Sequence, residues 1–327
     1  MIVVKTPLRI SFFGGGSDVP AIYEQIGGAV LSTAIDKYMH IVVNPTPNQH
    51  LKLTYSKVEV VENAKDLDHE IAREILNHFG IKSNIEIGSF ADVPTVGTGL
   101  GSSSTYAVGL ITALSAYKNI PMNRYDIAEL ACSIEIDKCK SPIGKQDQYA
   151  ACFGGLNVIE FNKHLVNVKP LNVSQNTIDA LNDNLVMFYT NRTRKASDIL
   201  KIQNDSKNYT DMYLKNMNSM IDQVYAGRDL LYKNQLDEFG MLLNEAWLKK
   251  KELSYGISDP ELDGLYTFAL MNGAIGGKIL GAGGGGYFLF YCPKQDQKKL
   301  KKELEKKGLK EFPFKFVDKG SHIVHQS

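Results

Sequence analysis

The sequence predicts a two-domain protein of mixed α and β structure, and three features carry that prediction. Its 327 residues suit two domains of ordinary size. Runs rich in β-branched and aromatic residues crowd the first third of the chain, interleaved with periodic apolar helices. Helical periodicity then dominates much of the second half.

The strands come first. "IVVKTPLRISFF", "HIVVNPT", "LKLTY", "KVEVVE" and "NIEIGSF" are bounded by Gly, Pro or Asn and read as strands. Ile71, Ile75, Leu76 and Phe79 mark a helix that stops at Gly80. Ala107, Leu110, Ile111 and Leu114 fall on one face of a second helix. A third runs from Asn123 to Lys138 with Ile127, Leu130, Ala131 and Ile134 as its stripe.

Beyond a boundary expected near residue 183, which divides the chain into 1–183 and 184–327, "NLVMFYT" opens with a strand. Helical patterns follow from Lys195 to Leu253. Ser258 and Glu261 predict a capping box for a helix ending at Gly273. "GKILGAGGGGYFLFY" reads as strand, glycine loop, strand. A helix around Lys298 ends at Gly308, and "FPFKFV" is expected as the last strand.

Composition excludes several classes. Hydrophobic residues at 43% and charged residues at 22% describe a folded globular chain. A formal net charge of +1 supplies no overall field for nucleic acid or membrane. No apolar run is long enough to span a bilayer, and the apolar stretch in "MIVVKTPLRI" is too short for a signal peptide. Cys132, Cys139, Cys152 and Cys292 form no CxxC pair, and the seven histidines show no metal-binding spacing. The expectation is a cytoplasmic protein with reduced thiols and neither a nucleic-acid nor a membrane partner.

Chemistry enters with "PTVGTGLGSSST", Pro94 to Thr105, which places three glycines and three serines before an apolar helix. The first N–H groups of a helix lack internal partners and carry partial positive charge. Glycines let a loop approach a ligand closely, and serine hydroxyls add donors and possible magnesium ligands, which together suit a triphosphate. A glycine-rich turn with a serine cap is the plainer alternative. No GxxxxGK[ST] occurs. Gly281, Gly283 and Gly286 spell GxGxxG, but the following "YFLFY" reads as a strand, whereas a dinucleotide fingerprint opens a helix.

Three motifs in order, "TPLRISFFGGGSD", "PTVGTGLGSSST" and "KILGAGGGGYFLFY", resemble those of the GHMP small-molecule kinases, the family of galactokinase, homoserine kinase and mevalonate kinase. Within it, "RISFFGGGSD", "GGAVLSTAIDKYMHIVVNP" and "GKQDQYAACFGG" are most similar to kinases of D-glycero-D-manno-heptose 7-phosphate. The resemblance implies an α+β fold, with an N-terminal domain like one of ribosomal protein S5 and a ferredoxin-like C-terminal domain. It also implies ATP and Mg2+ as cofactors and a small sugar phosphate as substrate. A homo-oligomer stays open.

Residue by residue, the resemblance implies that Gly97, Gly99, Gly101, Ser102, Ser103 and Ser104 hold the nucleotide phosphates. Ser103 and Glu135 would bind the metal. Helical angles put Glu135 and Asp137 symmetrically beside the apolar stripe, so periodicity leaves the choice open and the resemblance makes it. Asp147 and Arg9 match catalytic positions, although a loop acid beside lysine also reads as merely solvated. Asp18, Gly16 and Gly284 match substrate contacts, and Asp18 before Pro20 also reads as a helix N-cap. Arg192, Arg194 and Lys195 are cations suited to a substrate that already bears a phosphate, and Arg194 opens the matching "R-x-A-S" segment. Where the galactokinase pattern carries Glu and His this chain has Gly14-Gly15-Gly16, which argues against galactose. The expected reaction is phosphorylation of the anomeric hydroxyl of the heptose 7-phosphate, with a kinase for fucose or a small alcohol, or a non-catalytic sensor, as alternatives.

Overall fold

The computed structural model describes residues 1–94, 97–192 and 210–327. Strand β1 (Ile2–Phe13) pairs antiparallel with β2 (Gly28–Pro45), a strand of 18 residues. The far edge of β2 holds two partners end to end. Met39–Pro45 pair with β5 (Ile85–Ala91), and Gly28–Thr33 pair with β6 (Leu156–Phe161). β3 (Leu51–Thr54) runs parallel to β5 and antiparallel to β4 (Val58–Val61), and β7 (Val166–Pro170) flanks β6. A second, antiparallel sheet has the order β11 (Lys310–Glu311), β8 (Leu185–Tyr189), β10 (Tyr287–Tyr291), β9 (Gly276–Ile279).

Helices fill in around the sheets: α1 (Pro20–Ile26), α2 (Glu70–His78), α3 (Ser102–Tyr117), α4 (Arg124–Cys132), α5 (Gln146–Phe153) and α6 (Gln175–Asn184). In the second half come α7 (Asp211–Tyr232), α8 (Leu236–Glu252), α9 (Pro260–Met271) and α10 (Lys294–Lys306). Of these, α3 is the centre of the N-terminal core. Thirteen of its 16 residues are buried, so its apolar surface runs right round rather than along the expected stripe. Two of its threonines bond back to the helix itself. Thr105 and Thr112 donate to the carbonyls of Gly101 and Val108, four residues back.

Four expectations change. "FPFKFV" forms no strand. Pro313 interrupts it, Phe316 makes only an isolated bridge to Ile35, and the rings of Phe314 and Phe316 pack together. The terminal strand is β12 (His322–Gln326), which returns to pair with β1. Asp259, not Ser258, caps α9. Its carboxylate accepts from the Glu261 and Leu262 amides, with Pro260 in the first turn. The N-cap of α1 is Val19 without a side-chain bond, so Asp18 is free for other contacts. Finally, α4 widens into a π-helical turn, Ser133–Lys138.

That π turn sets the two acids apart by burial. Its larger number of residues per turn shifts the helical register within it, and such turns occur often at functional sites. Glu135 ends up 1% exposed, while Asp137 faces solvent.

Candidate active site

The expected site residues converge where β1, the glycine loop and the start of α5 meet. Arg9, in the middle of β1, is 4% exposed and its guanidinium is divided between two partners. Nε and Nη2 both reach Asp147 Oδ1, at 2.8 and 2.7 Å, and Nη1 donates to the Gly99 carbonyl at 2.6 Å. Asp147 lies in the first turn of α5. Its Oδ2 has no protein donor among the described residues and lies beside Gly101, where an added Cβ would sit 3.1 Å away. One carboxylate oxygen is fully engaged. The other faces the glycine loop.

The loop itself delivers the start of α3. Gly101 is its N-cap, with φ of +79°, and no side chain caps the helix and no acid occupies its first turn. The amides of Ser102, Ser103 and Ser104 therefore sit at an uncompensated positive helix end. Gly99, with φ of +75°, has a different reason to lack a side chain. A Cβ there would lie 2.2 Å from the Leu280 carbonyl oxygen, in the C-terminal glycine motif. Gly281 returns the contact, since its Cβ would approach Gly99 Cα to 2.4 Å. The two glycine motifs pack backbone against backbone.

Ser103 Oγ donates to Glu135 Oε1 at 2.9 Å, and Gln148 Nε2 donates to Glu135 Oε2 at 2.7 Å. Burial pushes the Glu135 carboxyl up to about 7 despite donors from Ser104, Gln148 and Ser103, and nearby Asp147 adds to the rise. A buried carboxylate whose partners are all neutral fits a divalent cation, which would restore its charged form. Among the described residues no group of three or more His, Cys, Asp or Glu could hold a metal alone. Magnesium needs only one or two protein ligands and leaves the remainder to phosphate and water, a demand that Ser103 and Glu135 fit.

Asp18, 2% exposed, accepts from the amides of Gly16 (3.0 Å) and Gln146 (3.1 Å) and from Gln146 Nε2 (3.2 Å). It ties the glycine turn after β1 to the first turn of α5, and burial raises its carboxyl above the usual range. Around Gly15, an added Cβ would lie 3.7 Å from Ser11 Oγ and 3.8 Å from Gln146 Nε2. Ser11 Oγ and Gln146 Oε1 are both buried without a protein partner. An orphaned buried hydroxyl, Ser11 Oγ, beside a bare glycine suits a hydroxylated ligand. Gly284 donates its amide to the Ile257 carbonyl at 2.8 Å.

Other expected residues stand elsewhere. Arg194 and Lys195 lie outside the described residues. Arg192 is already spent, because both ends of its guanidinium bind Asp259 and one also meets Glu261. Cys132, Cys152 and Cys292 are buried free thiols, and Cys139 is partly buried.

Sequence reasoning missed Ser11, Gln146 and Gln148, whose polar types carry no spacing signal, and two buried lysines. Lys278 Nζ donates to the Ser11 and Phe12 carbonyls at 2.9 and 2.8 Å, stitching β9 to the end of β1. Lys250 Nζ donates to the Gly281 carbonyl at 2.5 Å. Periodicity carried the signal for Lys250, which sits three residues after Trp247 and seven after Leu243, on the apolar face of its helix.

The packing of the glycine motifs yields a prediction. Gly99→Ala should destabilise the ligand-free protein by about 1–3 kcal/mol, because the methyl group meets a fixed carbonyl. Gly80→Ala, at φ of +66° with nothing within 4 Å of its Cβ, should cost less. Urea unfolding without nucleotide checks this. Unchanged stability with weakened ATP binding would mean the glycine serves the nucleotide alone.

Comparison with known proteins supplies the family. The model of the GHMP kinases N terminal domain matches residues 65–155, and that of the GHMP kinases C terminal domain matches 228–310. The D-glycero-alpha-D-manno-heptose 7-phosphate kinase of Campylobacter jejuni is 32% identical, covering 98% of this chain and 97% of that protein. A mevalonate kinase of Saccharolobus solfataricus is 28% identical over 88% of each. The crystal structure of a D-glycero-D-manno-heptose 1-phosphate kinase from Bacteriodes thetaiotaomicron superposes with a TM-score of 0.82 at 25% identity, covering 100% of both chains. No helix among the described residues is long and apolar enough to cross a membrane. With its α+β architecture and both family domains in order, the chain belongs to the GHMP kinases and is a sugar kinase.

Proposed function

We propose that this sugar kinase moves the γ-phosphoryl group of ATP to the anomeric hydroxyl of D-glycero-D-manno-heptose 7-phosphate. The product, a 1,7-bisphosphate, would feed nucleotide-activated heptose and surface glycan synthesis. The carrying observation is the divided use of Asp147: Oδ1 is held by Arg9 and Oδ2 is free beside the glycine loop. Asp147 Oδ2 accepts the hydrogen of the acceptor hydroxyl and takes its proton as the oxygen attacks. Arg9 fixes the carboxylate and adds positive charge next to the reacting phosphoryl. Gly97, Gly99, Gly101 and the amides of Ser102, Ser103 and Ser104 cradle the phosphates. Ser103 and Glu135 would hold magnesium, which would supply charge neutralisation for the phosphate oxygens.

The heptose phosphate is supported by the names of the Campylobacter and Bacteriodes relatives and by the orphaned Ser11 hydroxyl beside Gly15. Asp18, Gly16 and Gly284 shape the sugar side, and Arg194 is proposed, on sequence grounds, as the clamp on the distal phosphate. A division of the chain near residue 183 belongs to the same reading.

The test is a coupled ATP-turnover assay over heptose 7-phosphate, unphosphorylated heptose, fucose and galactose. Heptose 7-phosphate should give the highest kcat/KM. Asp147→Asn should lower kcat by roughly 10²–10⁴-fold with little change in ADP binding. Near-normal kcat would remove Asp147 from the chemistry. Magnesium titration of the rate provides a second check. Glu135→Gln should raise the concentration needed for half-maximal rate, and Asp137→Asn should leave it alone; the reverse result would reassign the metal ligand.

A further inference from the structure

Helix α8 buries seven residues along one face, and six of them are apolar or glycine; the seventh is Lys250. The neighbouring lysines have ordinary roles. Lys249 donates to Ser219 of α7, and Lys251 pairs with Asp263 at 2.8 Å. Lys250 is 6% exposed, and its only protein acceptor among the described residues is the Gly281 carbonyl. An ammonium has three donors, so two are left without protein acceptors. No carboxylate among the described residues lies within ion-pair distance of it. Burying such a cation unpaired is costly, which calls for a partner that arrives with the substrates.

The surroundings say which partner. Gly281 packs directly on Gly99, and the Gly99 carbonyl accepts from Arg9. Lys250 thus stands at the seam of the two glycine motifs, next to the groups assigned to the reacting end of ATP. Arg9 repels it, Asp18 attracts it, and burial with the Arg9 charge pulls its ammonium down to about 8. Lys278 is a third cation here, held well below its ordinary range by burial, Lys250 and Arg9. Asp147 is already engaged by Arg9. An arriving polyanion relieves this excess of buried positive charge.

We propose that Lys250 is a second catalytic cation, whose free N–H groups bind oxygens of the γ-phosphoryl during transfer. The assignment rests on the function proposed above. The acceptor oxygen forms its bond to phosphorus, and the bond from phosphorus to the β–γ bridging oxygen breaks. ADP leaves with that electron pair. The acceptor proton goes to Asp147, and Lys250 keeps its protons throughout.

Lys250→Met keeps the length of the stem and removes the charge; Lys250→Arg keeps the charge. The Met variant should lose about 10²–10³-fold in kcat, with unchanged ADP affinity by calorimetry and no loss of ligand-free thermal stability. The Arg variant should recover part of kcat. Wild-type kcat/KM should fall above about pH 8, where the ammonium gives way to the neutral amine, and the Arg variant should lose that limb. The charges facing Lys250 are Arg9 from β1, Lys278 from β9 and Asp18 before α1. On α7, Ser219 takes Lys249 and Arg228 pairs with Asp229, and β10 contributes only uncharged residues.

A readout that needs no sugar separates this proposal from the substrate reading. Magnesium, ADP and aluminium fluoride together should raise the wild-type melting temperature above that with magnesium and ADP alone, and Lys250→Met should abolish the increment. A retained increment, a near-normal kcat, or a rise in KM for heptose 7-phosphate at unchanged kcat would each overturn the role. So would a destabilised ligand-free Met variant that also binds ADP weakly. Wild-type inactivity on heptose 7-phosphate with the increment lost in the Met variant would sink the substrate reading and leave Lys250 standing.

Discussion

The arrangement depends on one buried guanidinium. Arg9 joins three segments that are distant in sequence: β1, which carries it, the glycine loop through the Gly99 carbonyl, and α5 through Asp147. A cation so deeply buried needs both partners, since removing either leaves charge or a donor uncompensated. Fixing Arg9 therefore fixes Asp147 against the loop that opens α3. The choice of oxygen matters as much as the pairing. Both Arg9 contacts fall on Oδ1, so Oδ2 is left facing the glycine loop.

Around this centre the two halves of the chain meet through backbone contacts as well as side chains. Gly99 and Gly281 leave no room for a Cβ on either, and Gly286 would drive one to within 2.6 Å of the Thr98 carbonyl oxygen. Lys278 adds a polar stitch from β9 to the carbonyls of Ser11 and Phe12. Glycine in these motifs thus permits close contact between the two loops. The seam also gathers Arg9, Lys250 and Lys278, so the halves join where positive charge is concentrated.

Much of this was legible in the sequence, for reasons that differ by residue. The β-branched runs located the strands because alternation and turn chemistry are local. The glycine-serine loop stood out in the sequence because three glycines and three serines are an unusual opening for an apolar helix. Glu135 against Asp137 was not, since straight α-helical angles treat them alike and only the π turn separates them. The cap role offered for Asp18 beside its substrate role does not hold, and one partner that draws it away, Gln146, lies 128 residues distant. The terminal strand was misplaced because "FPFKFV" has strand composition, while β12 gains its place by pairing with β1. Lys250 was missed because it sits in a run of three lysines that looks solvated, although its position on the apolar stripe set it apart.

The most direct test of the central claim is a double-mutant cycle on kcat between Arg9→Met and Asp147→Asn, with folding of each variant verified by near-UV circular dichroism. If Arg9 acts by holding Asp147, the two behave as one unit, and the double variant should lose about as much rate as the worse single variant. Losses that multiply would show that the two side chains act independently, and would contradict the account.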